Sequence, residues 1–255
     1  MPAPLRVVGM HGSNRHHGGI DGPTDEERGG AGAWPPGDTP DLASALDAPT
    51  QETGTTVVGV RAPETVVLAA DRRASLGGRF VSNKDTEKIE RVHPRAAVGL
   101  SGSVGGVQAL ARRVRAEVDL YDARRGDPPT VGALATLTGD MIRGVPAQVL
   151  LGGVDSEGGL GEPTSDAGGS AHLFEIDGGG AVSPTAYAAA GSGLQVAYGS
   201  LEGRAEGVET ADEARAVAAD AVAAASERDT ASGNGLTLAT ITDGGIETEV
   251  RGGEA

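Results

Sequence analysis

The interior tripeptide Gly54-Thr55-Thr56 stands where a polar leader meets an apolar, β-branched run. A threonine at the head of a strand gains chemistry if the peptide bond before it is cut. Cleavage after Gly54 gives Thr55 a free α-amine beside its own hydroxyl, so a nucleophile and its general base arrive on one residue. An α-amine titrates at about 7.7–8.0, close to working pH, and can take the hydroxyl proton. Gly-Thr is also a common dipeptide, and alone it fits an ordinary loop-to-strand junction.

Four downstream segments place polar residues where a purely structural chain has less need of them. Ala70-Asp71-Arg72-Arg73-Ala74-Ser75 closes an apolar strand with three charges, which composition alone reads as a solvated turn. Lys88, in Thr86-Glu87-Lys88-Ile89, is one of only two lysines against nineteen arginines. Kept among arginines, it offers a compact cation whose pKa can move. Leu100-Ser101-Gly102-Ser103 is a strand-to-helix turn whose glycine lets a backbone N–H approach a ligand closely. Gly191-Ser192-Gly193 and Arg228-Asp229-Thr230-Ala231-Ser232-Gly233 are small-residue loops at element boundaries, and each alone also fits a turn.

The elements that must position these residues follow from periodicity. Thr56–Val60 and Val66–Ala70 are β-branched runs around the turn-like Arg61-Ala62-Pro63-Glu64, which predicts a hairpin. Ala96–Ser101 reads as a strand. Val104, Val107, Leu110, Ala111, Val114, Val118 and Tyr121 recur at helical steps, with arginines on the other face. A second helix is expected over Thr130–Arg143, then strands near Gln148–Val154, Ala171–Asp177 and Thr185–Ala190. Val196–Arg204 reads as a weaker helix. Ala211–Arg228 reads as a strong one, with Thr210 and Glu213 in capping-box spacing. Leu236–Thr242 is expected to be the last strand. The order is strands, two helices, strands, two helices, strands. Two sheets packed face to face with helices outside satisfy it.

Composition sets the setting. The 255 residues carry 36 acidic and 21 basic groups, a formal net charge of −15, which argues against nucleic acid and anionic membranes as partners. High acidity, scarce lysine and few aromatics fit a high-salt cytoplasm, and they also fit acidic drift in a GC-rich genome. With no cysteine there is no disulfide, thiolate nucleophile or Cys-type metal site. No apolar run approaches the roughly 20 residues of a membrane span, and the N-terminus has no signal-peptide pattern. Residues 1–54 hold seven of the fourteen prolines, ten glycines and three of the five histidines, the composition of a leader that does not fold alone. His11, His16 and His17 lack partners at metal-ligand spacing. Asp155–Ser170 is glycine-rich and acidic, a solvated loop between strands.

Taken in order, Thr53-Gly54-Thr55-Thr56-Val57, Ala69-Ala70-Asp71-Arg72-Arg73-Ala74, Glu87-Lys88-Ile89, Leu100-Ser101-Gly102, Gly191-Ser192-Gly193 and Arg228–Gly233 carry a resemblance. From Thr55 to about Val250 the chain resembles the β subunits of archaeal 20S proteasomes, which are N-terminal-nucleophile threonine proteases. The resemblance implies an α+β fold, a four-layer αββα sandwich of two antiparallel sheets flanked by helices. It implies a 1–54 propeptide removed by autocleavage between Gly54 and Thr55, and a mature domain over 55–255.

Site roles follow from the same resemblance. Thr55 is the expected nucleophile. Asp71 and Lys88 form a buried pair beside it, the lysine charge easing ionisation of the hydroxyl. Ser192, Asp229 and Ser232 hold the α-amine and its water, and the Gly102 N–H forms the oxyanion hole. Substrate runs as an added strand past Ser75 and Gly102. Ala74, Thr86, Glu90, Leu100, Val104 and Gln108 match specificity-pocket positions, apolar enough for large hydrophobic side chains, with Glu90 at the rim leaving room for basic ones. No cofactor or metal is implied. The implied partners are further β subunits in a seven-membered ring, α subunits in an α-β-β-α stack, an ATP-dependent unfoldase and unfolded proteins, in the cytoplasm.

The chain departs from the family pattern in three places. Leu76-Gly77-Gly78-Arg79 is one residue longer than the family pattern, so Lys88 rests on its motif, with Lys84 as competitor. The 155–170 loop and the leader are also long. Two alternatives stand beside the protease: an unprocessed, structural ring subunit, and a small-molecule amidase of the same nucleophile class. The intact Gly54-Thr55, Asp71, Lys88 and Gly102 set argues against the first, and the Arg228–Gly233 motif against the second.

Overall fold

In the computed structural model, residues 54–126, 128–155 and 170–252 are described. The expectations for the leader before Gly54, for nearly all of the acidic loop and for the last three residues lie outside them. Strands β1 (Thr56–Ala62) and β2 (Thr65–Asp71) form the expected hairpin, buried at every position except Arg61. Burial on both faces explains why these strands read as continuous apolar runs instead of alternating ones. Val57, Val66, Leu68 and Ala70 face one way, into the layer between the sheets. Val58, Val60, Val67 and Ala69 face the other, toward helices.

Two five-stranded antiparallel sheets make the inner layers. The first has the order β10-β1-β2-β11-β12, with β10 at Tyr187–Gly191, β11 at Leu236–Thr242 and β12 at Gly245–Arg251. The second has the order β5-β6-β7-β8-β9, with β5 at Ile89–His93, β6 at Ala96–Gly102, β7 at Ala147–Asp155, β8 at Ser170–Ile176 and β9 at Val182–Pro184. Helices α1 (Val104–Arg125) and α2 (Val131–Ile142) cover the outer face of the second sheet with valine and leucine. Helices α3 (Leu194–Leu201) and α4 (Ala211–Arg228) cover the first, largely with alanine. This is the αββα sandwich.

Local signals explain the helix limits. The Thr210 hydroxyl accepts from the Glu213 N–H at 3.2 Å, and the Glu213 carboxylate accepts from the Thr210 N–H at 3.2 Å, the reciprocal box that starts α4. Helix α1 ends at Gly126 in the left-handed conformation. Two expectations need correction. Helix α3 begins at Leu194 and stops at Leu201, earlier than Val196–Arg204 at both ends, and it stops early because the chain turns at Gly203 with φ 73°. Leu236–Thr242 is not the last strand, since β12 pairs along its whole length. A small hairpin, β3 (Ala74–Leu76) and β4 (Phe80–Asn83), stands apart from both sheets and exposes Phe80 and Val81.

Candidate active site

Antiparallel pairing brings the start of β1, the ends of β2 and β10 and the start of β11 to one end of the first sheet. Thr55 precedes β1, Asp71 closes β2, Ser192 follows β10, and Asp229 to Gly235 lead into β11. From the second sheet, Lys88 precedes β5 and Gly102 ends β6, again at a shared end. The sequence-separated motifs therefore converge because strand ends converge.

On one flank of Thr55, Asp71 is fully buried and Lys88 is 5% exposed. Lys88 Nζ donates to Asp71 Oδ1 at 2.6 Å. The same carboxylate accepts backbone N–H bonds from Thr56 at 2.8 Å, Arg73 at 3.0 Å and Gly233 at 2.8 Å. Burial pushes the Lys88 pKa below its ordinary 10.5, while the Asp71 charge and hydrogen bond pull it back up without restoring it. Lys84 is exposed, so Lys88 is the lysine paired with Asp71.

On the other flank, the Thr55 N–H donates to Ser192 Oγ at 3.1 Å. The Ser192 and Ser232 hydroxyls each donate to Asp229 Oδ2 at 2.6 Å. Asp229 Oδ1 accepts from the Ala231 N–H at 3.1 Å, which holds the loop around the carboxylate.

The Gly54–Thr55 peptide bond lies between these flanks. The Thr55 hydroxyl donates to the Gly54 carbonyl oxygen at 2.8 Å, and Lys88 Nζ reaches the same oxygen at 3.3 Å. The Gly54 N–H is held by Ser75 Oγ at 3.0 Å. Only glycine fits here, because a Cβ on residue 54 would run into Ala231 and Ser75 Oγ.

Beside Thr55 opens a cleft. Ala74, Thr86, Glu90, Leu100, Gly102, Val104 and Gln108 all line it, joined by Glu87, Lys88 and Val107. Ser75 holds Gly54 without being part of that lining. The Glu90 carboxylate accepts from Arg115 at 2.9 Å, so its charge is already answered within the chain and offers little to a basic side chain. Gly102 has φ 145°, a backbone geometry that side chains rarely tolerate.

The charged triplet at the end of β2 is not a solvated turn. Arg72 bonds Thr237 and pairs with Asp85, and Arg73 bonds Asn234 at 2.7 Å and the Thr230 carbonyl at 2.9 Å. Sequence reasoning singled out the segments that hold Arg73 and Thr56 but gave neither side chain a role. A charged triplet at a strand end reads as a turn, and a second strand threonine looks like ordinary β composition. Among the described residues no cluster of three or more His, Cys, Asp or Glu could hold a metal, and no helix is long and apolar enough to cross a membrane.

The model of the family described as proteasome subunit matches residues 51–241. Proteasome subunit beta of Halorhabdus utahensis is 51% identical over 201 residues, covering 78% of this chain and 81% of that protein. The corresponding subunit of Natronomonas pharaonis is 50% identical over 210 residues, covering 81% and 83%. Proteasome subunit beta 1 of Haloarcula marismortui is 46% identical over 214 residues, covering 83% and 84%. With this fold, this convergence of strand ends and these relatives, the chain belongs to the proteasome subunit family, among the β subunits of the haloarchaeal type.

Proposed function

We propose that this β subunit, a threonine endopeptidase by family, frees its own nucleophile by cutting after Gly54 and then hydrolyses peptide bonds of unfolded proteins. The observation that carries the reading is the Thr55 hydroxyl 2.8 Å from the Gly54 carbonyl oxygen, with the Lys88–Asp71 pair at the same bond. In self-cleavage, Thr55 Oγ1 adds to the Gly54 carbonyl carbon and the Gly54–Thr55 C–N bond breaks. The departing nitrogen takes a proton and becomes the α-amine, and water hydrolyses the resulting ester.

In turnover the α-amine takes the hydroxyl proton, and Oγ1 attacks the substrate carbonyl. The charge that develops on the carbonyl oxygen is met by the Gly102 N–H. The α-ammonium then protonates the leaving amine, and water releases the acyl group. Lys88 lowers the cost of ionising Thr55, Asp71 orients Lys88, and Ser192, Asp229 and Ser232 hold the amine. Ala74, Leu100, Val104 and Val107 give the cleft an apolar lining suited to large hydrophobic side chains. Ser75 and Gly102 would flank an extended substrate strand.

The same reading places the subunit in seven-membered β rings stacked with α rings in the cytoplasm. In that reading an ATP-dependent unfoldase feeds it, and the ATP belongs to that partner, since the chain has no Gly-x-x-x-x-Gly-Lys-Ser/Thr run of its own. The test is the N-terminal residue and intact mass of the subunit from particles assembled with an α partner in high salt. A chain beginning at Thr55 is expected. Thr55→Ala should keep its leader and lose peptidase activity. Peptidase activity retained in that variant would overturn the reading. A complete wild-type particle still carrying its leader would make the subunit a structural member of the ring.

A further inference from the structure

Residue 56 touches both flanks of Thr55, one through its backbone and the other through its side chain. Its N–H donates to Asp71 Oδ1 at 2.8 Å, the oxygen that also receives Lys88. Its hydroxyl lies 2.8 Å from Ser232 Oγ, and both residues are fully buried.

Proton counting gives that contact a direction. A serine hydroxyl has one hydrogen to donate. Ser192 and Ser232 each give theirs to Asp229 Oδ2 at 2.6 Å, within the range of about 2.5–2.7 Å for hydroxyl-to-carboxylate bonds, and for Ser192 this short charged contact outweighs the Thr55 carbonyl oxygen at 3.3 Å. Ser232 Oγ is therefore the acceptor and Thr56 Oγ1 the donor. By the same count Ser192 Oγ accepts from the Thr55 nitrogen. Donation runs inward from residues 55 and 56, through two serines, to one carboxylate oxygen. The chain also reserves room for this hydroxyl, since a Cβ at Gly193 would run into Thr56 Oγ1.

We propose that Thr56 is a positioning residue for the α-amine: by donating to Ser232 it keeps the Ser232 hydroxyl on Asp229, and so sets how much charge Asp229 presents through Ser192 to the Thr55 nitrogen. The inference rests on the reading of Thr55 as a self-released nucleophile. A free amine has hydrogens to give and one lone pair to use. With Ser192 taking a hydrogen, the lone pair is left for the hydroxyl of Thr55 itself. Without Thr56 as donor, the Ser232 hydroxyl can rotate away from Asp229. A carboxylate with one donor fewer is more basic, holds an ammonium more strongly and raises the pH at which the amine becomes a base.

The variants are Thr56→Val, which keeps the shape and the N–H bond to Asp71, and Thr56→Ser, which keeps the hydroxyl. Both are made in the full chain and assembled with the α partner. The readouts are kcat and KM on a short hydrophobic peptide, the acid limb of the pH–rate profile, and the pH dependence of reductive methylation of the N-terminal amine. Thr56→Val should lower kcat about ten-fold with KM within about two-fold. It should also move the acid limb and the amine's labelling profile up by about half a pH unit, and Thr56→Ser should restore both. Thr56→Val particles matching the parent in kcat and in the acid limb would overturn the inference alone. So would Thr56→Ser particles that fail to recover while melting at lower temperature, since that assigns residue 56 to packing. Wild-type particles that keep their leader would remove the amine and overturn this inference together with the reading beneath it.

Discussion

The Asp71–Lys88 flank of Thr55 is almost dry, with 0% and 5% of the two side chains exposed, whereas on the other flank Ser192 is exposed and Asp229 half-buried. Taking an ion out of water costs several kcal/mol, so the dry flank keeps its charges only by surrounding Asp71 with four donors: Lys88 and three backbone N–H groups. The wetter flank is made of hydroxyls around one carboxylate, a group of neutral donors that can rearrange when an amide nitrogen becomes an amine. The contrast separates two jobs. One flank fixes an electrostatic field, and the other manages hydrogens.

The contrast breaks first at Asp71. Asp71→Ala strands a buried lysine and three backbone donors, so it should destabilise the subunit by about 3–5 kcal/mol and end both self-cleavage and peptidase activity. Lys88→Ala should end activity with a smaller loss of stability, because Asp71 keeps its three backbone partners. Equal melting of the two variants in thermal denaturation would contradict the asymmetry.

A pH–rate profile of self-cleavage sharpens the same point. In the proposed chemistry protonated Lys88 is the working form, and burial lowers its pKa, so the alkaline limb should fall below the ordinary lysine value of 10.5. A limb at or above that value would mean that the pair behaves as if solvated. The smallest effect belongs to the wetter flank. Ser192→Ala should slow peptide hydrolysis about ten-fold while changing stability by no more than about 0.5 kcal/mol. A large fall in melting temperature would show that Ser192 holds the fold as well as the amine.

What could be read from the sequence follows from what buries apolar surface. The runs Thr56–Val60 and Val66–Ala70 were visible because both faces of β1 and β2 are covered. Strand β12 was not, because Gly-Ile-Glu-Thr-Glu-Val-Arg is an edge strand with no fully buried position, held by its ladder to β11. The fully exposed β4 and the three-residue β9 escaped for the same reason. At the site, the residues of the ordered motifs were legible through the family resemblance. The direction of donation through Thr56, Ser232 and Asp229 was not, since it depends on distances between residues up to 176 positions apart. Nor does spacing reveal that Arg73 braces Asn234, the one described non-glycine residue with positive φ.

Gly54 has no side chain, and Ala231 and Ser75 leave no room for one. In the proposed self-cleavage, the first bond cut therefore asks nothing of the apolar seat formed by Ala74, Leu100, Val104 and Val107. Activation and substrate preference become separately heritable traits. A lineage can reshape the seat for a different set of peptides, one substitution at a time, while the event that switches the enzyme on proceeds unchanged.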